Sequence, residues 1–308
     1  MMRLVGGLPA DYPGSVFVVL HVPPNAPSHL AAILARAGPL PAEHAVDGEA
    51  IQPGRIYVAS PNHHLYVHRG HVRVGVGPRE NGTRPSVDVL FRSASRAYGP
   101  RVVGVILSGA LNDGSRGLAL IKMRGGAAIV QDPAEALFGG MPSSALARTK
   151  VDHCASAAEI ATVVDTLARE PLDEAVSKGM DTHEEEPVEP GIAQDKSPGN
   201  ASGLTCPECY GAIWELRDGE TVRFECRVGH AYAPEAFVDQ QGERVEAALW
   251  TAINTLEERS ETFHRLAALY PGSSRLAASY EERANETTQQ ADVLRNLLYS
   301  LVRARDIG

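Results

Sequence analysis

The sequence predicts an α/β fold over residues 1–168, a mostly parallel sheet with helices on both faces, and three observations carry that prediction. Short β-branched runs alternate with amphipathic helical runs between residues 16 and 168. The runs VVGVILSG and AAIVQD are apolar without a polar beat, the pattern of strands buried on both faces. Gly or Pro residues mark most of the transitions between runs.

Each element has its own justification. VFVVLHV (16–22) is a strand stopped by Pro23 and Pro24. SHLAAILARAG (28–38) is helical, with Ser28 read as its N-cap and Gly38 as its C-cap. RIYVAS (55–60) is a strand, and HLYVHRGHVRVGV (64–76) is a hairpin turning at Arg69-Gly70. SVDVLFRSASRAYG (86–99) is a helix, VVGVILSG (102–109) a buried strand, SRGLALIKMRGG (115–126) a helix, and AAIVQD (127–132) a strand. In such sheets ligands gather at the carboxyl ends of the strands.

Charge divides the rest of the chain. The net charge is −9, yet nine acids and two lysines between Glu170 and Ser202 supply −7 of it. That Pro- and Gly-rich stretch lacks apolar periodicity, so residues 169–202 are expected to form a disordered acidic linker. The folded parts are then nearly neutral, which disfavours a nucleic-acid partner held by bulk charge. No apolar run approaches the roughly 20 residues of a membrane helix, and no secretory signal is evident, so a cytoplasmic setting without membrane insertion is expected.

Residues 203–234 form a separate cysteine unit. Cys206-Pro-Glu-Cys209 and Cys226-Arg-Val-Gly-His230 make two knuckles of a closed three-cysteine, one-histidine set for structural zinc. A redox pair or unbound thiols is the competing reading; a cytoplasmic setting weighs against disulfides. The segment between the knuckles reads as a hairpin turning at Asp218-Gly219. From Gly203 to Glu235 six acids face three arginines, net −3, poor chemistry for a nucleic-acid-binding ribbon. Residues 235–308 carry two leucine-rich helical stripes broken at YPGSS (270–274), an expected helical hairpin. Cys154 reads as a half-buried core residue, and His63-His64 as solvated or cleft-lining. Arg84 suits either an acidic partner surface or a helix cap.

Two residues at strand ends carry chemistry. His21 and Asp113 both fall at carboxyl ends of predicted strands, and an imidazole oriented by a buried carboxylate makes a general base. The alternative is a capping aspartate opening the 115–124 helix beside a hydrogen-bonded histidine.

HVPPN (21–25), DGEAIQPGRIYVASPNHHL (47–65), RPSVDVLF (84–91), VVGVILSGALNDGSRGL (102–118) and GGMPSSA (139–145) together resemble the chemotaxis protein-glutamate methylesterase family of the CheB type. The resemblance covers about half the chain. It implies hydrolysis of glutamate γ-methyl esters on chemoreceptor helices, with glutamine deamidation in some members. It also implies His21 and Asp113 as members of a Ser-His-Asp triad, oxyanion donors at or near Ala110, and no catalytic cofactor. The family's nucleophile sits in a Gly-rich turn upstream of the histidine strand, and no serine here matches it. Ser15, Ser60, Ser108 and Ser143 lack that context. The expectation is a chain that starts too late to hold the nucleophile and is inactive unless extended. Non-catalytic binding of chemoreceptors or signalling proteins is the alternative, and a zinc-dependent nucleic-acid binder the weaker one. A receiver-domain regulator would have to be a separate protein.

Overall fold

The computed structural model describes residues 1–24, 27–171, 200–218, 221–270 and 274–305. Most of the expected acidic linker, residues 172–199, and the expected turn at Gly219 lie outside them. The chain divides into two compact units, Met1–Phe237 and Val238–Gly308.

The first unit opens with α1 (Met2–Gly7), β1 (Val16–Val18), α2 (Leu30–Ala37), β2 (Ala42–His44) and β3 (Ile56–Val58). The hairpin β4 (His64–His68) and β5 (His71–Gly75) follows, then α3 (Val87–Tyr98) and β6 (Val103–Ile106). The remainder of the α/β part is α4 (Ser115–Met123), β7 (Ala127–Gln131), α5 (Gly140–Arg148), β8 (His153–Ala155) and α6 (Ala157–Arg169).

The expected parallel strands hydrogen-bond in two three-stranded groups, β1-β3-β2 and β6-β7-β8. The β4–β5 hairpin pairs antiparallel with His68 opposite His71, and Gly70 takes φ +78 at its turn. Alternation along the strands sorts the core into two layers. Tyr57, Ile106, Ala128 and Val130 pack with Leu90 and Phe91 of α3, Leu118 and Ile121 of α4, and Met141 of α5. Ile56, Val58 and Ile129 turn the other way, against Leu4 and Val5 of α1, Leu34 of α2 and Ile160 of α6. Side chains at successive strand positions point to opposite faces, so continuous apolar runs demand helices on both.

Local details depart from the sequence reading where tertiary contacts decide. The Ser28 hydroxyl accepts from the Leu30 N–H at 3.4 Å, but His29 holds the N-cap position of α2. Gly38 ends α2 in an extended conformation, and a Cβ there would meet the Val5 carbonyl oxygen at 2.4 Å. Close approach of α1, rather than a left-handed cap, requires that glycine.

After residue 199 come β9 (Asn200–Thr205), β10 (Ala212–Asp218), β11 (Thr221–Cys226) and β12 (Ala231–Tyr232), an antiparallel sheet in the order β12-β11-β10-β9. The last elements are α7 (Pro234–Leu269) and α8 (Ser274–Arg305). In the second unit these helices run antiparallel: Ser260 bonds the Ala284 carbonyl at 3.0 Å, His264 meets Glu281, and Phe263 stacks on Tyr280.

Candidate functional site

His21 and Asp113 meet. β1 ends at Val18, so His21 stands on the loop three residues beyond it, where Pro23 and Pro24 exclude further strand. Asp113 follows β6 through a turn and precedes Gly114, which N-caps α4 at φ +87. His21 Nε2 lies 3.0 Å from Asp113 Oδ2.

Asp113 is also a cap, but for a different helix than the sequence suggested. Its carboxylate accepts from the N–H groups of Val87 (2.7 Å) and Asp88 (3.3 Å), the first turn of α3 rather than of α4. The Ser86 hydroxyl (2.8 Å) and the Asn81 amide (3.0 Å) also donate to it. A carboxylate at a helix N-terminus is favoured by the helix dipole as well as by these donors. Burial alone would raise the Asp113 pKa, but the His21 hydrogen bond and charge, with the Val87 and Asn81 donors, hold it below the ordinary carboxylate value.

The His21 ring faces an acceptor at each nitrogen. Nδ1 lies 3.1 Å from the Pro85 carbonyl, the residue after a cis Arg84–Pro85 peptide. Two acceptors want two protons, which is the imidazolium. Burial pulls the His21 pKa down, but the hydrogen bond and charge of Asp113, with the Pro85 carbonyl, carry it above the free value. In a Ser-His-Asp site the carboxylate takes one ring nitrogen and leaves the other for the nucleophile. Here that second nitrogen rests on a backbone oxygen, so acting as a base requires releasing the Pro85 carbonyl.

A second carboxylate lies behind the first. Asp88, 2% exposed, accepts from Gly117 N–H (2.7 Å) and from Asn81 Nδ2 (3.0 Å). Burial, with the charges of Asp113 and Glu80, pushes its pKa up to about 7. Glu80 stays ionised: burial disfavours the charge, but Arg92 pairs with both oxygens at 2.7 and 2.8 Å and Arg116 adds its charge, taking the pKa to about 2. His64, expected to be solvated or cleft-lining, is buried and is not among the residues lining the cleft beside His21. Its Nε2 bonds the Pro78 carbonyl at 2.9 Å, and its Nδ1 accepts from the Ser86 N–H, which fixes a neutral tautomer. Burial, the largest influence, lowers its pKa.

A cleft of about 190 Å³ opens beside the ring, lined by His21, Val22, Pro24, Arg79, Thr83 and Arg84 among others. Arg84 neither caps a helix nor hangs free; its guanidinium bonds Asn62 Oδ1 at 2.8 and 3.0 Å and the Gly77 carbonyl at 2.7 Å. In the loop expected to bind an oxyanion, Gly109 donates its N–H to the Phe138 carbonyl, while Ala110 and Leu111 beyond it are exposed. Ser15 donates to the Gln52 carbonyl, and Ser108 accepts from Phe138 N–H. Among the described residues the hydrogen-bond partners of the His21 ring are Asp113 and Pro85, with no serine hydroxyl. Cys154, expected to be half-buried, is exposed on β8.

The ligand atoms of Cys206, Cys209, Cys226 and His230 lie within 4.8 Å of one another. Zn–S bonds of about 2.3 Å and Zn–N bonds of about 2.0 Å place tetrahedral ligand atoms roughly 3.5–3.8 Å apart. The Cys209 and Cys226 sulfurs are separated by 3.5 Å, and His230 Nδ1 stands 3.5 and 3.7 Å from Cys226 and Cys206. Glu208 lies 3.5 Å from His230 Nε2, an outer carboxylate that leaves Nδ1 to face the thiols. The donor set and its spacing fit zinc.

A parallel α/β domain with a histidine held by a buried carboxylate beyond its strand ends has the frame of an ester hydrolase of the Ser-His-Asp class. The family model for CheB methylesterase matches residues 1–164, and the chain belongs to that family. A Leptospira interrogans protein named for protein-glutamate methylesterase and protein-glutamine glutaminase is 36% identical over 175 residues, 56% of this chain and 91% of that protein. An Anaeromyxobacter dehalogenans enzyme of the same name is 41% identical over 150 residues, which span 47% of this chain and 41% of the relative. The crystal structure of the Thermotoga maritima CheB methylesterase catalytic domain superposes with TM-score 0.51 at 30% identity, over 54% of this chain and 90% of that one. Among the described residues no helix is long and apolar enough to cross a membrane.

Proposed function

We propose that residues 1–168 are a protein-glutamate methylesterase domain acting on γ-methyl esters of chemoreceptor-like helices, with glutamine deamidation as the same acyl chemistry on an amide. The observation that carries this reading is the 3.0 Å contact between His21 and Asp113 in a fold of this family. A hydroxyl attacks the ester carbonyl, His21 takes its proton once the Pro85 carbonyl lets go, and that proton leaves with methanol. Water activated by His21 then cleaves the acyl-enzyme, freeing the glutamate carboxylate and returning a proton to the hydroxyl. Asp113 keeps the ring in place and stabilises its charged form. Arg79 and Arg84 at the cleft suit a substrate helix rich in carboxylates.

No described serine reaches the ring, so the nucleophile comes from outside the described residues, and without it the domain holds a methylated helix without cleaving it. The test is methanol release from a γ-methylated receptor by a form of the protein that carries the nucleophile, with and without His21. Release is expected to collapse on His21→Ala; equal release from both proteins refutes the role of His21.

We also propose that Cys206, Cys209, Cys226 and His230 hold one zinc ion as a structural site. All four tetrahedral positions are filled by protein, so the metal supplies no Lewis-acid or water chemistry. The ribbon's buried cluster, Cys206, Ile213, Cys226 and Tyr232, is completed by Phe237 of α7 and is too small to stand without such a staple.

A further inference from the structure

We propose that the ribbon positions the hydrolytic site: a zinc ion at Cys206, Cys209, Cys226 and His230 fixes β12, and β12 holds Asn81 against the carboxylates that orient His21. This inference rests on the methylesterase reading for what His21 does, and it makes Asn81 a positioning residue.

The connection is a short chain of bonds. His230 is followed directly by β12, Ala231–Tyr232. The His230 carbonyl accepts from Cys226 N–H at 3.0 Å, closing the second knuckle immediately before the strand. Tyr232 donates its hydroxyl to Glu208 at 2.9 Å and lies 3.6 Å from the Cys206 sulfur, so β12 touches both knuckles. On its other side β12 meets the α/β domain. Ala231 N–H donates to the Arg79 carbonyl at 3.3 Å, and Asn81 N–H donates to the Ala231 carbonyl at 2.8 Å.

Asn81 uses its whole side chain at this junction. Its Oδ1 accepts from Ala233 N–H at 2.9 Å, and Nδ2 donates to Asp113 Oδ1 and to Asp88 Oδ2, each at 3.0 Å. The residue is 4% exposed and sits at φ +55. A left-handed backbone is tolerated by asparagine but persists only where the surroundings hold it. The loop's internal bonds around Asn81 are the pair between Glu80 and Thr83 and the Thr83 hydroxyl to the Glu80 carbonyl. Beyond the two carboxylates, the hydrogen bonds that Asn81 itself makes are to the ribbon, at Ala231 and Ala233. One amide bridging two buried carboxylates also offsets their repulsion, so displacing it disturbs the oxygen that faces His21 as well as its neighbour.

Arg79, Gly82, Thr83 and Arg84 of the same loop line the cleft beside His21. Loosening the ribbon therefore moves a wall of the cleft and a support of the base together.

The experiment follows the His21 ring by NMR titration in the full-length chain, with zinc content measured on the same samples. Zinc-loaded protein is expected to carry one zinc per chain and to show His21 titrating above a free histidine. Stripping the metal with a chelator should lower the His21 midpoint, because burial pulls it down once the carboxylate is less well placed. Adding back zinc alone should restore it. Asn81→Ala should lower the midpoint while keeping the zinc. A His21 midpoint unmoved or raised by metal removal, or by Asn81→Ala in zinc-replete protein, overturns the proposal, as does protein that binds no zinc. Asp113→Asn separates the two readings: if it leaves the His21 titration unchanged the His21–Asp113 assignment fails, whereas response to Asp113→Asn without response to zinc refutes the coupling alone.

Discussion

Asp113 Oδ2 stands 3.0 Å from His21 Nε2 while the same carboxylate accepts the first N–H groups of α3. One buried side chain thus orients a base and caps a helix, so its loss is felt in both. Asp113→Asn keeps an acceptor but sets an amide donor against Val87 N–H or the His21 ring. Leaving one buried donor unpaired costs about 1–3 kcal/mol, measurable by urea denaturation. The His21 midpoint should fall below that of the parent protein, since burial then acts with little opposition. A raised midpoint would contradict the pairing.

Enzymatic pH dependence follows from the same pair. The His21 pKa is raised, and the ring acts as a base only after losing a proton. Activity of a nucleophile-bearing form should therefore rise with pH through a midpoint above that of free histidine. A kcat/KM profile whose acid limb falls below the free-histidine value would show that another group sets it.

Glu80 and Arg92 are buried together, 5% and 7% exposed, and Arg116 lies 3.7 Å from the same carboxylate. Glu80→Gln would leave two arginines with too little negative charge nearby. Breaking a buried pair on one side costs about 3–5 kcal/mol. Arg92→Met with Glu80→Gln should cost less than the two single changes summed, and an additive double-mutant cycle would show that the pair contributes no coupling.

The parts that the sequence reveals and conceals differ for a physical reason. Strand and helix positions follow from periodicity, which is local, and so does the placement of His21 and Asp113 beyond strand ends. The four zinc-type ligands follow from knuckle spacing, also local. Asn81, Ser86, His64 and Asp88 owe their roles to bonds between segments far apart in the chain. Asn81-Gly82 looks like an ordinary turn, and Ser86 like an ordinary helix cap. Helix α6 did carry a local signal, the Ser156–Glu159 capping box, in which each side chain meets the other's backbone N–H. The grouping of the parallel strands is pairing information, which periodicity does not contain.

Asp88 gives stability a pH dependence with a definite sign. Its folded pKa, about 7, lies above the unfolded carboxylate value. Its stabilising contribution is complete below that unfolded value and is lost as pH rises through about 7. The melting temperature should thus fall between pH 5 and pH 8. Raised His21 adds to the same trend, so the comparison needs a variant that keeps His21. Asp88→Asn meets that need: it should melt lower at pH 5, where its amide opposes the Asn81 amide, yet fall less on going to pH 8. Parallel pH curves for the two proteins would rule out titration of Asp88 in this range.

Gly114 and Gly48 separate backbone strain from packing, because both take positive φ in different surroundings. Gly114 has φ +87, and a Cβ there would lie 2.5 Å from Ile106 Cδ1 and 2.7 Å from Val87 Cγ1. Gly48 has φ +80 with nothing within 4 Å. A left-handed non-glycine residue costs about 1–2 kcal/mol, which is the whole expectation for Gly48→Ala. Overpacking a core adds about 1–3 kcal/mol, so Gly114→Ala should cost about 2–5 kcal/mol in all. Gly114 follows Asp113 and Val87 is one of that carboxylate's donors, so relief of the clash through the turn or through the Val87 backbone shifts the carboxylate itself. Gly114→Ala should therefore lower the His21 midpoint, and Gly48→Ala should leave it where it is. Equal stability losses for the two variants would show that the methyl group at position 114 is accommodated without disturbing the turn that presents Asp113.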